Sequence, residues 1–347
     1  MVNEPPKRIL VVKLSAIGDV LMATPAAKAL RAAFPESYIA WVVERKSADV
    51  VLGNPYLDEV VLWDRHKSGN RIIDAARLGH SLLDLRSDLK ARRFDVCVDL
   101  QGLLRSALVS LASGAKRRIG FSDAAERSTI FYTEKHQPQS KGMNAQQRNL
   151  DLLKPLGVNS TDTAMHMPVG EEDRGFARRF FEESGLIGSK VVAFCVATTW
   201  ANKHWTPEGW VGVADLIWHK YGARTLILGS KADIPLVRSI ADAAISNPIV
   251  SAGLTTLKQA GALMEKSDAV IGVDTGLLHM SVALDRPSIG LFGASEWRCF
   301  QKKDNFIWVA KDYPCSPCRR HPTCSNVDCM RAITPDDVEA AVRPWLE

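Results

Sequence analysis

No stretch of the 347 residues stays apolar for the roughly 18 positions a membrane-crossing helix requires, which argues against a helical span. The opening Met1 to Lys13 lacks the charged, apolar and small-residue succession of a secretory signal, because Ile9 to Val12 is too short an apolar run. A cytoplasmic protein is expected. The Gly-x-Gly-x-x-Gly spacing of a dinucleotide-binding turn is also missing, which argues against a nicotinamide oxidoreductase. Excess charge is small: 44 Lys and Arg against 39 Asp and Glu leave +5. That balance suits an anionic substrate or an acidic membrane surface, but is too weak to argue a nucleic-acid partner. Seven cysteines in a reducing compartment give no disulfide framework. What remains, 46% apolar and 24% charged, is ordinary globular composition, and the length exceeds what one core supports. Two domains follow.

Short apolar runs alternate with longer amphipathic stretches. Arg8 to Leu14 reads as a buried strand and Gly18 to Phe34 as the helix after it. Tyr38 to Val43, Glu59 to Leu62 and Phe94 to Leu100 are further strands, with helices over 72–92 and 103–112. After an irregular stretch near 157–171 the alternation restarts with strands at Val191 to Val196, Arg224 to Leu228, Ala269 to Val273 and Ser288 to Phe292. Such βα alternation predicts α/β domains with doubly wound parallel sheets, whose ligands sit beyond the carboxyl ends of the strands. The expected division is an amino-terminal domain over 1–165, a carboxy-terminal domain over 172–330, and a closing helix within 334–347 that packs back on the first domain. Thr334 as cap and Pro335 at the first helical position mark where that last helix begins.

Three motifs lie at strand ends. Lys13-Leu14-Ser15-Ala16-Ile17-Gly18-Asp19-Val20 makes a tight strand-to-helix turn with Asp19 in the first helical turn. An acid there is either an ordinary helix-dipole partner or a base facing a crevice. Asp274-Thr275-Gly276-Leu277-Leu278-His279 opens a helix directly after a strand, so its backbone N–H groups form a ready anion site with His279 one turn on. Thr198 and Thr199, followed by Lys203, supply hydroxyls and a cation that suit a diphosphate.

Taken together these motifs resemble family nine of the glycosyltransferases, the ADP-heptose:lipopolysaccharide heptosyltransferases. The resemblance extends through Trp41-Val42-Val43-Glu44, Asp99-Leu100-Gln101-Gly102-Leu103 and the block from Val273 to Gly293, and is nearest the heptosyltransferase I subgroup. It implies a GT-B fold of two Rossmann-like domains facing across a cleft, the first binding acceptor and the second an ADP-sugar donor. It implies that Asp19 is the catalytic base of an inverting transfer of heptose to the Kdo region of the lipopolysaccharide inner core. Lys203, Asp274, Thr275, Gly276 and His279 match the family's donor-binding positions, beside Thr198 and Thr199. Anionic inner-core glycolipid as acceptor implies basic residues in the first domain, for which Arg148, Arg127 and Arg105 are candidates, with Arg65, His66 and Lys67 as a basic loop. The partners expected are then the ADP-sugar, the glycolipid and, peripherally, the inner membrane, with no nucleic acid.

No Asp-x-Asp metal clamp is present, so no cofactor is required for turnover. Cys315, Cys318, Cys324 and Cys329 form a Cys-x2-Cys-x5-Cys-x4-Cys run whose spacing suits a structural zinc or iron–sulfur site. Reduced thiols in a compact loop are the other reading. A family relative using another sugar nucleotide, or a heptose-bearing acceptor, is the alternative within the same enzyme class.

Overall fold

The computed structural model describes residues 4–64, 71–139, 143–296, 304–318, 324 and 326–347, without the side chains of 71–78. The chain divides into two compact units, Met1–Pro168 and Val169–Glu347.

The first unit is a parallel sheet of β1 (Arg8–Val12), β2 (Tyr38–Val43), β3 (Glu59–Leu62), β4 (Val96–Asp99), β5 (Arg117–Phe121) and β6 (Glu134–His136) in the order β3-β2-β1-β4-β5-β6. Ile9 stands in register with Ile39 on one side and Val96 on the other. The helices are α1 (Ile17–Leu21), α2 (Thr24–Ala33), α3 (Arg71–Ala91), α4 (Leu104–Ala112) and α5 (Ala145–Asp151). The central strands read as unbroken apolar runs because a parallel sheet buries both faces; Leu10, Val12, Val42 and Leu89 are inaccessible. The expected helix from Gly18 to Phe34 is two helices, α1 and α2. Pro25 sits in the first turn of α2, where its missing N–H costs nothing, and its ring bars continuation from the turn before. Strand β4 begins two residues later than expected, and the Asp95 carboxylate just before it accepts the Lys7 and Arg8 amides at 2.9 Å. The short strands β5 and β6, the latter at the sheet edge, were hidden by their charge: Arg117, Arg118, Glu134 and Lys135 interrupt any apolar run.

The second unit repeats the winding with β7 (Val191–Cys195), β8 (Arg224–Leu228), β9 (Ile249–Val250), β10 (Ala269–Val273), β11 (Ser288–Phe292) and β12 (Phe306–Ala310), in the order β12-β11-β10-β7-β8-β9. Its helices are α6 (Glu171–Glu183), α7 (Pro207–Tyr221), α8 (Ile234–Ala243), α9 (Leu257–Lys266), α10 (Gly276–Ala283), α11 (Asp328–Arg331) and α12 (Pro335–Val342). Trp210 anchors the core, its ring 5.1 Å from both Phe194 and Trp205. In each unit the order of winding reverses once, between β1 and β4 and between β7 and β10, and the crevice at such a reversal is where α/β sheets bind ligands.

The closing helix is grouped with the second unit. Helix α12 packs on α7, β11 and β12, and Trp205 Nε1 donates to Ile333 O at 3.1 Å just before it. The clasp is electrostatic. Glu339, 1% exposed, accepts from Arg343 and from Lys220 at 3.1 Å and from the Tyr221 hydroxyl. Arg343 first, then Tyr221 and Lys220, outweigh burial and pull its carboxyl from 4.5 down to about 2. A depressed carboxyl stabilises the fold above its unfolded value, and that contribution fades as pH falls from 4.5 toward 2. Glu339→Gln is therefore expected to lower unfolding free energy at pH 7 by about 2 kcal/mol, less than the full shift because Arg343 and Lys220 are half open to water. Urea denaturation at pH 7 and below 4 checks this: the gap between variant and wild type should narrow in acid.

Candidate active site

The residues singled out in the second unit gather at its reversal point. Chain leaving β7 forms a short turn at Ala201–Lys203, and chain leaving β10 passes through Asp274 into α10. Thr198 Oγ1 donates to the Asp274 carbonyl at 3.0 Å, and His204 Nε2 lies 2.9 Å from the Thr198 carbonyl, so the two loops are stitched together. The Lys203 ammonium meets Asp274 Oδ2 at 2.5 Å and rests 3.9 Å over the Trp200 ring. His279 Nε2 stands 3.4 Å from Asp274 Oδ1. Burial pushes the Asp274 carboxyl up, but the hydrogen bond and charge of His279 and the charge of Lys203 prevail and hold it well below the usual carboxylate range. Asp274 is thus an anion held between the Lys203 ammonium and the His279 ring. Thr275, the residue before α10, makes no side-chain cap to the first turn of that helix, whose N–H groups have no intrahelical partner. Thr199 is exposed at the rim.

One member was missed from sequence. Ser295, in the chain after β11, donates to Asp274 Oδ2 at 2.5 Å. Nothing in its neighbourhood marks it as special; only the fold brings β11 beside β10.

The reversal point of the first unit carries Asp19. Its Oδ2 accepts the Ala16 N–H at 3.2 Å, closing the first turn of α1, while the side chain stays exposed. The carboxylate orders its own turn and is exposed to solvent. The loop that carries it is pinned to β4, where Gln101 Oε1 accepts the Leu14 and Ser15 amides at 3.1 and 3.3 Å. Arg105 bridges Ser15 Oγ at 2.7 Å and Glu44 Oε1 at 3.1 Å. Arg148 stacks over the Phe121 ring at 4.0 Å and pairs with Asp123 at 2.6 Å, and its neighbour Asn149 ties α5 to the Met22 carbonyl. Arg127 is exposed, in a left-handed turn before Ser128. Arg105 and Arg148 have partners of their own near the Asp19 loop, whereas Arg127 lies at the surface. Arg65, His66 and Lys67 lie outside the described residues. Asp99 is structural: fully buried, it accepts from Tyr132, Ser106 and the Gln101 and Gly102 amides between 2.8 and 3.1 Å.

The four clustered cysteines influence one another. Burial, then Cys324 and Cys318, raise the Cys315 thiol, and burial, then Cys315, Cys318 and Cys324, raise Cys329. Among the described residues, however, no group of three or more Cys, His, Asp or Glu side chains is arranged to hold a metal ion. Asn202, beside Lys203, donates to Cys318 Sγ at 3.5 Å, so the cysteine loop buttresses the turn that presents the lysine.

Comparison with known proteins gives a family model, glycosyltransferase family 9 (heptosyltransferase), that matches residues 82–327. Lipopolysaccharide heptosyltransferase 1 of Pseudomonas aeruginosa is 28% identical over 324 residues, 92% of this chain and 87% of that protein. The solved family 9 glycosyltransferase of Veillonella parvula superposes with a TM-score of 0.83 at 23% identity, over 98% of this chain and 97% of its own. The E. coli heptosyltransferase WaaC, solved with ADP-2-deoxy-2-fluoro heptose, gives 0.72 at 24% identity, over 97% and 99%. The two Rossmann-like units are those of the GT-B glycosyltransferases, and this chain belongs to glycosyltransferase family 9, the heptosyltransferases.

Proposed function

We propose that the protein transfers heptose from ADP-heptose to the Kdo region of the lipopolysaccharide inner core, with inversion at the anomeric carbon. The second unit binds the donor and the first the acceptor. Asp19 takes the proton from the acceptor hydroxyl as that oxygen attacks the anomeric carbon, and the bond to ADP breaks on the opposite face. A sugar hydroxyl is a weak nucleophile, and a positioned carboxylate contributes about 10²–10⁴-fold. Negative charge that grows on the departing diphosphate is met by Lys203, by His279 and by the open N-terminus of α10. The observation that carries this reading is the Lys203–Asp274–His279 cluster at that helix opening. A cation and a helix N-terminus without a side-chain cap stand there together, as diphosphate binding requires.

The acceptor is an anionic glycolipid, so the enzyme works peripherally at the cytoplasmic face of the inner membrane. The net charge of +5 favours that approach, and among the described residues no helix is long and apolar enough to cross a membrane.

Thermal protection tests the donor half. ADP should raise the melting temperature and NAD should not; equal protection by NAD, or none by ADP, overturns the donor reading. Turnover should also survive EDTA, since Lys203 and α10 supply the charge that a divalent ion supplies elsewhere. A loss of rate restored by Mg²⁺ would contradict that.

A further inference from the structure

Helix α4 reverses the usual arrangement of its side chains. Ser106 and Ser110 are inaccessible, whereas Leu104 and Leu111 are 41% and 44% exposed and Leu108 is half-buried. Spaced four and three residues apart, the leucines fall within about 60° of arc and form one stripe. The cause is polar. Ser106 Oγ donates to the buried Asp99 carboxylate at 2.8 Å, which fixes the rotation of the helix and leaves the leucines outside. The short turn Ser128–Phe131 packs on α4 and adds Ile130, 70% exposed. Single surface leucines are ordinary, but a stripe continued by a neighbouring element marks an interaction surface.

Charge says what that surface meets. Residues 1–168 hold 24 Lys and Arg against 18 Asp and Glu, and residues 169–347 hold 20 against 21, so the whole positive excess lies in the first unit. Basic groups stand at both ends of the stripe. Exposed Lys90 of α3 lies against Gly114, just past α4, and exposed Lys116 follows two residues on. At the other end Arg127 is exposed, and the acid beside it, Glu126, accepts the Leu104 amide at 3.0 Å. An apolar stripe flanked by cations suits an interfacial helix, which sinks its apolar face among acyl chains and sets its cations on anionic headgroups. A second copy of the chain would instead set like charges against each other.

We propose that the outer face of α4, together with Ile130, seats the protein on an anionic phospholipid surface. The proposal rests on the reading of the acceptor as a membrane glycolipid, and names the surface by which the chain meets that membrane.

Co-sedimentation of the full chain with vesicles, in the absence of donor and acceptor, tests it. Vesicles of phosphatidylcholine mixed with phosphatidylglycerol should bind the protein, less tightly as salt rises. Phosphatidylcholine alone should bind it about tenfold more weakly or worse. Leu108→Gln/Leu111→Gln should weaken partitioning onto the mixed vesicles about tenfold, because two apolar side chains no longer gain by leaving water. Lys90→Glu/Lys116→Glu should weaken it by a similar factor through charge. If the leucine variant melts early, Ile130→Gln decides in its place, with an expected loss of about threefold. Equal binding to both kinds of vesicle, unchanged binding in the apolar or the charge variant, or a wild-type dimer that the leucine variant splits in sedimentation velocity overturns the proposal. The two readings fail separately. If the vesicles bind as expected but no heptose is transferred to a Kdo-bearing lipid, the acceptor assignment falls and the membrane seat stands. If transfer occurs and the vesicles do not bind, the seat alone is wrong.

Discussion

Asp19→Ala is expected to reduce kcat by about 10²–10⁴-fold while leaving donor affinity within about twofold. The size follows from what is removed. Without a base, the acceptor oxygen attacks while still carrying its proton, and about 3–5 kcal/mol of barrier returns. Donor affinity should hold because the residues that would bind ADP, Lys203, Asp274 and His279, belong to the other unit. A structural cost is also present, since Asp19 caps the Ala16 amide, but a surface first-turn contact is worth about 1 kcal/mol or less. A melting temperature within a few degrees of wild type, with rate lost and donor binding kept, is the combination the base role requires. A large loss of ADP-heptose binding would count against it.

Lys203→Ala should weaken donor binding about 10²-fold and slow turnover as well. Two effects act in the same direction. The ammonium that would meet the diphosphate is gone, and Asp274, buried and ionised, loses its lysine partner and faces the incoming anion less compensated. Breaking one side of a buried pair costs about 3–5 kcal/mol, more than the pair itself contributes. The double variant Lys203→Ala/Asp274→Asn should therefore bind donor better than Lys203→Ala alone, a coupling that simple loss of a surface lysine cannot give. Isothermal titration with ADP across the four proteins measures it. Additive losses would remove the unmasked carboxylate from the explanation, and unchanged affinity in Lys203→Ala would remove Lys203 from the site.

The strands that carry the site were legible because parallel sheets write themselves as unbroken apolar runs, and Ile9 to Val12 and Val191 to Cys195 are buried throughout. The motifs at their ends were legible as local spacing. What sequence could not show were contacts made across the sheet. Ser295 reaches Asp274 only because β11 lies beside β10. The guanidinium of Arg105, a candidate for acceptor contact, bridges Ser15 and Glu44, residues 90 and 61 positions away, a link no local pattern shows. Charge also misled: Arg117-Arg118 reads as surface, although Ile119 to Phe121 after it are buried in a strand. At the carboxyl end the boundary of helix 335–342 was plain, but its packing partner was not, because the partners of Glu339 are Lys220 and Tyr221, more than a hundred residues earlier.

The central claim is heptose transfer to a Kdo-bearing acceptor, and product formation from ADP-heptose and heptose-free Kdo–lipid A tests it most directly. Wild type should yield the monoheptosylated glycolipid with release of ADP. If no product forms although ADP protects the protein from melting, the donor site stands, and the assigned sugar or acceptor is contradicted.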